Sequence, residues 1–442
     1  MYSKIIEKIR DKSIILLGFG KEGKSTYNFI RKYLPKQKVT ISDKNDKLLE
    51  QNEFLNEDNN VLVVTGDNYL DNLDNYDLII KSPGVKIPDD IYNKIKDKIT
   101  SQLELILEVD RKNIIGITGT KGKSTTSSLM YKVLNDQKVN SLLLGNVGNP
   151  ILDYIDDIKE DIKLVIECSS YQLENVSVSP HIGVVINLFE EHLNYHGTLK
   201  NYWDSKFNMF KYQDKDDYMI YDSNNINIKQ YVDNQEYVSK HIDINRDYSF
   251  NGNDIIYDNK VIYNKNNKRN IIGDHNLRDI LFVIRISLLL DLDIDKVIKS
   301  ISEFNPLEHR MEYFGTYNGV KYYDDAIATI PEATINCIEA LKEVDTVIFG
   351  GQDRGIDYNS LIDYFNNGNI DNFIGMPDTG YKIIDKINNK NTYKVDNLED
   401  AVKIAKKVSK KICILSPAAP SYNAFKNFEE KGNLFKELVK KD

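Results

Sequence analysis

The densest chemical signal in the chain is the run Gly119-Thr120-Lys121-Gly122-Lys123-Ser124-Thr125, set between an apolar stretch and a helical pattern. Glycines let a backbone fold tightly enough for its N–H groups to face phosphate oxygens. The start of the following helix adds a field that favours anions. In that setting Lys123 can reach terminal phosphates and the Ser124 hydroxyl can ligate Mg2+. The common form of such a loop has glycine where this chain has Ile117, so the match is to a variant, TGTKGKS. A second glycine loop, Gly18-Phe19-Gly20-Lys21-Glu22-Gly23, has dinucleotide-fingerprint spacing, which any pyrophosphate can satisfy. Asp43 closes the next apolar run, where an acid could accept hydrogen bonds from a ribose. A purely structural turn is the alternative for that loop.

Other candidates surround the first loop. Glu167 ends an apolar run just before Ser169 and Ser170, where a carboxylate can hold Mg2+ directly or through water. His192 follows Glu190 and Glu191 and is one of only six histidines. It reads as functional, or as a loop histidine bonded to a neighbouring carboxylate. Lys206, beside Trp203 and Phe207, reads on its own as a lysine of an amphipathic helix.

The elements that must position these residues follow an α/β rhythm. Strands are expected at 13–17, 39–42, 61–65 and 78–80, with a helix from about Ser25. A second series covers 114–118, 141–144 (closed by GNVGNP), 164–167 and 184–187, with a helix from the phosphate loop through Leu134. The Asn-, Asp- and Tyr-rich stretch 216–269 predicts hairpins or an antiparallel edge, and a helix covers 277–290. Beyond Pro306, strands at 320–323, 346–349, 372–374 and 412–415 alternate with helices at 332–341, 361–365 and 398–408. Parallel sheets covered by helices are the natural solution, and ligand sites then gather at the C-terminal strand ends.

A length of 442 residues predicts two or three domains, and 41% hydrophobic with 28% charged residues supports packed cores. The formal charge of -9 disfavours non-specific nucleic-acid or anionic-membrane binding, but not small anions. Cys168, Cys337 and Cys413 form no zinc or disulfide pattern. The N-terminus lacks a signal-peptide layout and LFVIRISLLL is too short to span a bilayer, so a soluble cytoplasmic protein is expected.

In order and over nearly the whole chain, the segments GFGKEGKS, SPGV, GITGTKGKSTT, GNVGNP, ECSSYQLE, EEHLNYHG, the WDSK lysine, GDHN, LEHRME, YYDDAIAT, GGQDRG and SPAAPSYNAFKNFEEKGNLF resemble the Mur ligases of peptidoglycan synthesis. SSYQLE and the C-terminal segment look most like the branch that adds D-glutamate. The resemblance implies three α/β domains: a Rossmann-like UDP-substrate domain over 1–112, a P-loop-type ATP- and metal-binding domain over 113–305, and a Rossmann-like nucleotide and amino-acid domain over 306–442. It makes GFGKEG a UDP-diphosphate cradle without a nicotinamide cofactor. It implies ATP-dependent addition of D-glutamate to UDP-N-acetylmuramoyl-L-alanine through an acyl-phosphate, by a cytoplasmic monomer with no nucleic-acid partner and no membrane insertion. Cell-wall assembly, shape and division would depend on that product.

Residue by residue, the resemblance makes Lys123 a γ-phosphate contact and Ser124, Glu167 and His192 ligands of Mg2+, with two ions expected and Mn2+ an alternative. Lys206 matches the lysine that takes up CO2 as a carbamate, which turns a cation into a bidentate anion suited to Mg2+. Lys123, His192 and Lys206 are the expected catalytic set. ATP contacts are expected from Gly119, Thr120, Lys121, Gly122, Lys123, Ser124 and Thr125, and from Asp279, Arg310 and Asp325. Gly18, Phe19, Gly20, Lys21, Gly23 and Asp43 match the UDP end of the substrate; Asn146, Ser169, Gln172 and His192 match the muramoyl-alanine end. Thr329, Arg354, Ser421 and Phe428 match the neighbourhood of D-glutamate, where an arginine suits a dicarboxylate.

Two positions depart from the family pattern. Its NDSKATN stretch reads Asp324-Asp325-Ala326-Ile327-Ala328-Thr329-Ile330 here, with Ile327 replacing the lysine, and the asparagine that follows the HN pair is Asp279. These departures leave open a nucleotide-binding regulatory protein without ligase activity. The nearest enzyme rivals are another Mur-type ligase and a folylpolyglutamate synthetase. Retention of the phosphate and metal residues favours catalysis.

Overall fold

Ile14–Leu17 is four buried apolar residues in a row and offers no polar face to water, as a strand covered on both sides requires. The computed structural model describes residues 2–441 apart from 147–149, 160, 248, 251–253, 272 and 306. The expected turn at 147–149 and Pro306, the expected start of the third domain, thus lie outside the described residues. The chain forms two compact units, one of residues 1–267 and 279–301, the other of 268–278 and 302–442.

The first unit holds two parallel sheets. β1 (Ile14–Leu17), β2 (Val39–Asp43), β3 (Val61–Thr65), β4 (Leu78–Lys81) and β5 (Ile99–Thr100) are ordered β3-β2-β1-β4-β5. Strand order reverses between β1 and β4, whose C-terminal ends lead into Gly18 and Ser82. β6 (Ile114–Thr118), β7 (Ser141–Gly145), β8 (Lys163–Glu167), β9 (Ile182–Val185), β10 (Tyr218–Tyr221) and β11 (Lys240–Asp243) are ordered β11-β10-β9-β6-β8-β7. β6 lies between β8 and β9, which places the phosphate loop beside both their C-terminal ends. One continuous apolar core underlies both sheets.

Of the hairpins or antiparallel edge expected across 216–269, the DIIYDNKVIY run does form a hairpin, and the remainder needs correction. β10 and β11 extend the parallel sheet, joined by the crossover helix Ile226–Asp233, and only β12 (Ser249–Phe250), β13 (Asp254–Tyr257) and β14 (Lys260–Asn264) are antiparallel. β10 buries Met219, Ile220 and Tyr221 despite its polar flanks. The composition of those flanks hid a core strand.

In the second unit β15 (Glu312–Tyr317), β16 (Val320–Asp324), β17 (Val344–Phe349), β18 (Asn372–Gly375), β19 (Asn391–Lys394) and β20 (Ile412–Leu415) are ordered β15-β16-β20-β17-β18-β19. All pair in parallel except β15, which is antiparallel to β16. β20 is buried throughout and sits at the centre. Apolar clusters lie on both its sides. Among the described residues, no helix is long and apolar enough to cross a membrane.

Candidate active site

β6 runs into the turn 119–122 and then the helix Lys123–Asp136. Gly122 has φ +82, a conformation that glycine adopts without strain. Asn187, just beyond β9, staples this loop: its Oδ1 accepts from Thr120 N (3.1 Å) and Lys121 N (2.8 Å), and its Nδ2 donates to Lys121 O (3.1 Å). Tyr202 supports it from beneath, its hydroxyl 3.2 Å from Thr120 Oγ1. Sequence reasoning found neither role, since one Asn and one Tyr carry little signal in a chain rich in both.

The structure gathers the expected catalytic residues around this turn. Lys123 folds back so that Nζ donates to Gly119 O and Thr120 O, both at 2.9 Å. Lys206 is 2% exposed, and its Nζ donates to the same Gly119 O at 2.8 Å. Burial, reinforced by the nearby Lys123 charge, holds the Lys206 amine well below the usual lysine range. The helix Leu199–Lys211 carries it, with Tyr202 one turn earlier under the same amine. The amphipathic-helix reading is therefore corrected: this lysine faces inward.

Glu167, at the end of β8, is 0% exposed. Its Oε1 accepts from Asn146 Nδ2 at 2.7 Å, while Oε2 is buried without a hydrogen-bond partner. A buried carboxylate oxygen left without a donor is what a cation site requires. His192 has φ +58 and begins the short helix Leu193–His196. Its ring lies against Tyr171 and Tyr202. Burial, with help from Lys206 and Lys123, lowers its pKa although Glu191 opposes this, which favours the neutral imidazole that ligates metals. Burial would raise the Glu191 carboxyl, but Lys121, His192 and Lys123 together hold it below its ordinary value. Lys121 Nζ is 3.1 Å from Glu191 Oε1. The buried carboxylate, the imidazole and the Ser124 hydroxyl suit Mg2+ or Mn2+.

Asp279 lies against Gly122, where an added Cβ would come within 2.3 Å of Asp279 Oδ1. A carboxylate therefore stands at the start of the phosphate-loop helix.

The first glycine loop is built as its spacing suggests. A Cβ at Gly23 would meet Gly18 O at 2.2 Å, whereas Gly20 faces open space. Lys21 begins the helix Lys21–Tyr33. Asp43 turns inward: Oδ2 accepts from Phe19 N (2.7 Å) and Oδ1 from Asn45 N (2.9 Å). Ser169 and Gln172 form a reciprocal capping box, and Gln172 Nε2 donates to Glu22 Oε1 at 2.8 Å, linking the two sheets.

In the second unit, Asp325 Oδ1 accepts from Met311 N (3.2 Å) and Oδ2 from Ser416 Oγ (2.8 Å). Burial pushes its carboxyl up to about 7, against the opposing pull of Ser416, Met311 and Arg310. Arg310 Nε is buried without a hydrogen-bond partner. The exposed Arg354 stacks over the Tyr422 ring at 5.6 Å, next to Ser421, whose Oγ is buried and also without a partner. Phe428 starts the helix Phe428–Lys440, and Thr329 is partly exposed after β16. Among the described residues, His309, Glu312 and Asp324 form a group with metal-ligand chemistry. Its oxygens already accept from His309 Nδ1 (2.6 Å), His309 N (2.8 Å), Lys436 Nζ (2.8 Å) and Ala326 N (3.0 Å), so it is an internal ionic network.

Comparison with known proteins gives the same family over the whole chain. The family model described as Mur ligase middle domain matches residues 117–287, and that described as Mur ligase, glutamate ligase domain matches 309–418. UDP-N-acetylmuramoylalanine–D-glutamate ligase of Clostridium kluyveri is 31% identical, with 98% of this chain and 97% of that protein covered. The protein of the same name from Clostridium acetobutylicum is also 31% identical, over 99% and 98%. Among solved structures, the MurF ligase of Thermotoga maritima in complex with ADP matches with a TM-score of 0.62 at 16% identity, covering 98% of this chain and 96% of that one. The UDP-N-acetylmuramate-alanine ligase of the same organism matches with 0.60 at 18%, covering 96% and 98%. These structural likenesses concern the fold.

Proposed function

The chain belongs to the Mur ligase family, and from that premise we propose that it joins D-glutamate to UDP-N-acetylmuramoyl-L-alanine at the expense of ATP. The observation that carries the chemistry is the convergence of Lys123, Lys206, His192 and the partnerless Glu167 oxygen on one phosphate loop.

The substrate carboxylate attacks the γ-phosphorus of ATP and ADP leaves, giving an acyl-phosphate. The D-glutamate amine then attacks the acyl carbon, phosphate leaves with the C–O bond pair, and the nitrogen gives up its excess protons to form the amide. Both steps bring anions together, so a fixed cation and aligned N–H groups contribute most. Lys123 is that cation, and the backbone N–H groups of 122–125, beyond the two that Asn187 takes up, would supply the donors. Glu167, His192, Ser124 and a Lys206 carbamate would hold Mg2+, which when bound neutralises phosphate charge. The depressed Lys206 amine supports the carbamate, since only a neutral amine adds to CO2.

Gly18, Phe19, Gly20, Lys21 and Gly23 cradle the diphosphate. Asp43 acts through Phe19 N at the uracil end, and Asn146, Ser169, Gln172 and His192 surround the muramoyl-alanine end. Arg310, Asp325 and Asp279 are the further nucleotide contacts; Thr329, Arg354, Ser421 and Phe428 receive D-glutamate. We read the two sheets of the first unit as the centres of the 1–112 and 113–305 domains and the six-stranded sheet of the second unit as that of the 306–442 domain, the chain working as a cytoplasmic monomer in peptidoglycan precursor synthesis. An acceptor panel tests the assignment: ADP release and product mass with UDP-N-acetylmuramoyl-L-alanine, Mg2+ and candidate amino acids. D-glutamate-dependent amide is expected; turnover with folate substrates alone, or none with D-glutamate, would overturn it.

A further inference from the structure

Lys81, Glu174 and Tyr195 have no part in the chemistry above, yet they form a polar cluster between the two sheets of the first unit. Lys81 ends β4 just before the turn 82–85 and is 6% exposed. Its Nζ lies 3.3 Å from the Tyr195 hydroxyl and 3.4 Å from Glu174 Oε2. The Tyr195 hydroxyl is 3.0 Å from Glu174 Oε2 and 3.1 Å from Val85 O, so its one proton serves either acceptor while its oxygen accepts from Lys81.

Each end of this cluster touches a different part of the proposed substrate site. On one side, the turn that Tyr195 holds through Val85 is the wall of the glycine loop. Ser82 Oγ donates to Gly18 O at 2.8 Å, and a Cβ on Gly18 would come within 2.7 Å of Val85 Cγ2. On the other side, the Tyr195 ring packs edge-on against Tyr171 at 4.6 Å, and Tyr171 lies against His192 at 5.1 Å. Burying an amine and a phenol beside a half-buried carboxylate yields little net stability compared with apolar residues of the same shape. What such a cluster can supply is one defined placement of the two walls. A substrate gripped at its diphosphate and reacting at its distant carboxylate needs that placement, because binding energy at one end aids the other only through a fixed frame.

We propose that Tyr195, held by Glu174 and Lys81, is a positioning residue that sets the spacing between the diphosphate loop and His192, so that the nucleotide half of the substrate contributes to turnover at its carboxylate end. This deepens the reading given under Proposed function and rests on it. Tyr195→Phe keeps the ring against Tyr171 and removes only the hydroxyl; Glu174→Gln is a second, isosteric variant. The full chain and both variants are compared in UDP binding and ADP binding by calorimetry, and in kcat with UDP-N-acetylmuramoyl-L-alanine, D-glutamate and ATP. Each half should still bind its own ligand within about twofold while kcat falls about tenfold. An unchanged kcat in both variants, or UDP and ADP affinities that fall in step with kcat, overturns the proposal. A wild-type chain that neither binds UDP nor turns over sinks the functional reading and the inference with it. A wild type that does both, with variants indistinguishable from it, sinks the inference alone.

Discussion

At the scale of single residues, the informative groups are charges placed where solvent cannot help them. The Lys206 amine shares Gly119 O with the half-buried Lys123, and burial beside that charge disfavours a second cation there. A carbamate would resolve this: the neutral Nζ attacks CO2 and one proton leaves, so that, counted from the ammonium form, the side chain gives up two protons and becomes an anion. Lys206→Ala should therefore cut ADP release by about a thousandfold, and added formate or acetate should restore part of it by filling the vacated space with a carboxylate. Steady-state ADP assays decide, and a variant that no carboxylate improves would argue against an anionic role. Asp279 makes the opposite case: at a proposed nucleotide contact where the family pattern has asparagine, a carboxylate lies against Gly122, where ATP phosphates are expected. Like charges here should weaken ATP binding, so Asp279→Asn should lower KM for ATP about fivefold, corresponding to about 1 kcal/mol. An unchanged or higher KM would mean that the carboxylate does not oppose the phosphates.

At the scale of elements, strand ends do the positioning, and this layer was readable to the extent that burial wrote it into hydrophobicity. β1, β6 and β20 are continuous apolar runs, and the sequence places each correctly. β15 and β19 are edge strands with mixed exposure, so no such run marks them. The phosphate loop was legible because three glycines and a Lys-Ser pair have few other uses. Lys206 was legible only through family resemblance, because its burial is a tertiary fact. Lys431 shows the same limit. It is 1% exposed on the helix Phe428–Lys440, and its Nζ donates to Gly350 O at 2.8 Å, tying that helix to the loop that carries Arg354. Burial lowers its pKa to about 7. An amine whose folded pKa lies below its unfolded value contributes most stability above the unfolded value, near 10.4, and loses it as pH falls toward 7. The thermal midpoint of the wild type should therefore rise relative to Lys431→Met between about pH 7.5 and 9.5. Parallel midpoints across that range would show that the amine is charged in the fold.

At the scale of the whole molecule, the chain divides its proposed labour between two units. The phosphate loop, Glu167, His192 and Lys206 belong to the first unit, and Arg354, Ser421 and Phe428 to the second. In the proposed reaction the first group would serve acyl-phosphate formation and the second the incoming amine, so the two half-reactions should respond to different mutations. Arg354 is exposed and stacked on Tyr422, so its loss removes a charge without opening a core. Arg354→Ala should raise KM for D-glutamate about tenfold to a hundredfold, the cost of a charge-assisted pair with a carboxylate. It should leave the single-turnover burst of ADP formed before amine attack within about twofold of wild type. Lys123→Ala should do the reverse and abolish the burst at any D-glutamate concentration. Rapid-quench measurement of ADP, with hydroxylamine to trap the acyl-phosphate, separates the two. A burst lost in Arg354→Ala would show that Arg354 takes part in phosphoryl transfer, and its assignment to the amine half-reaction would fail.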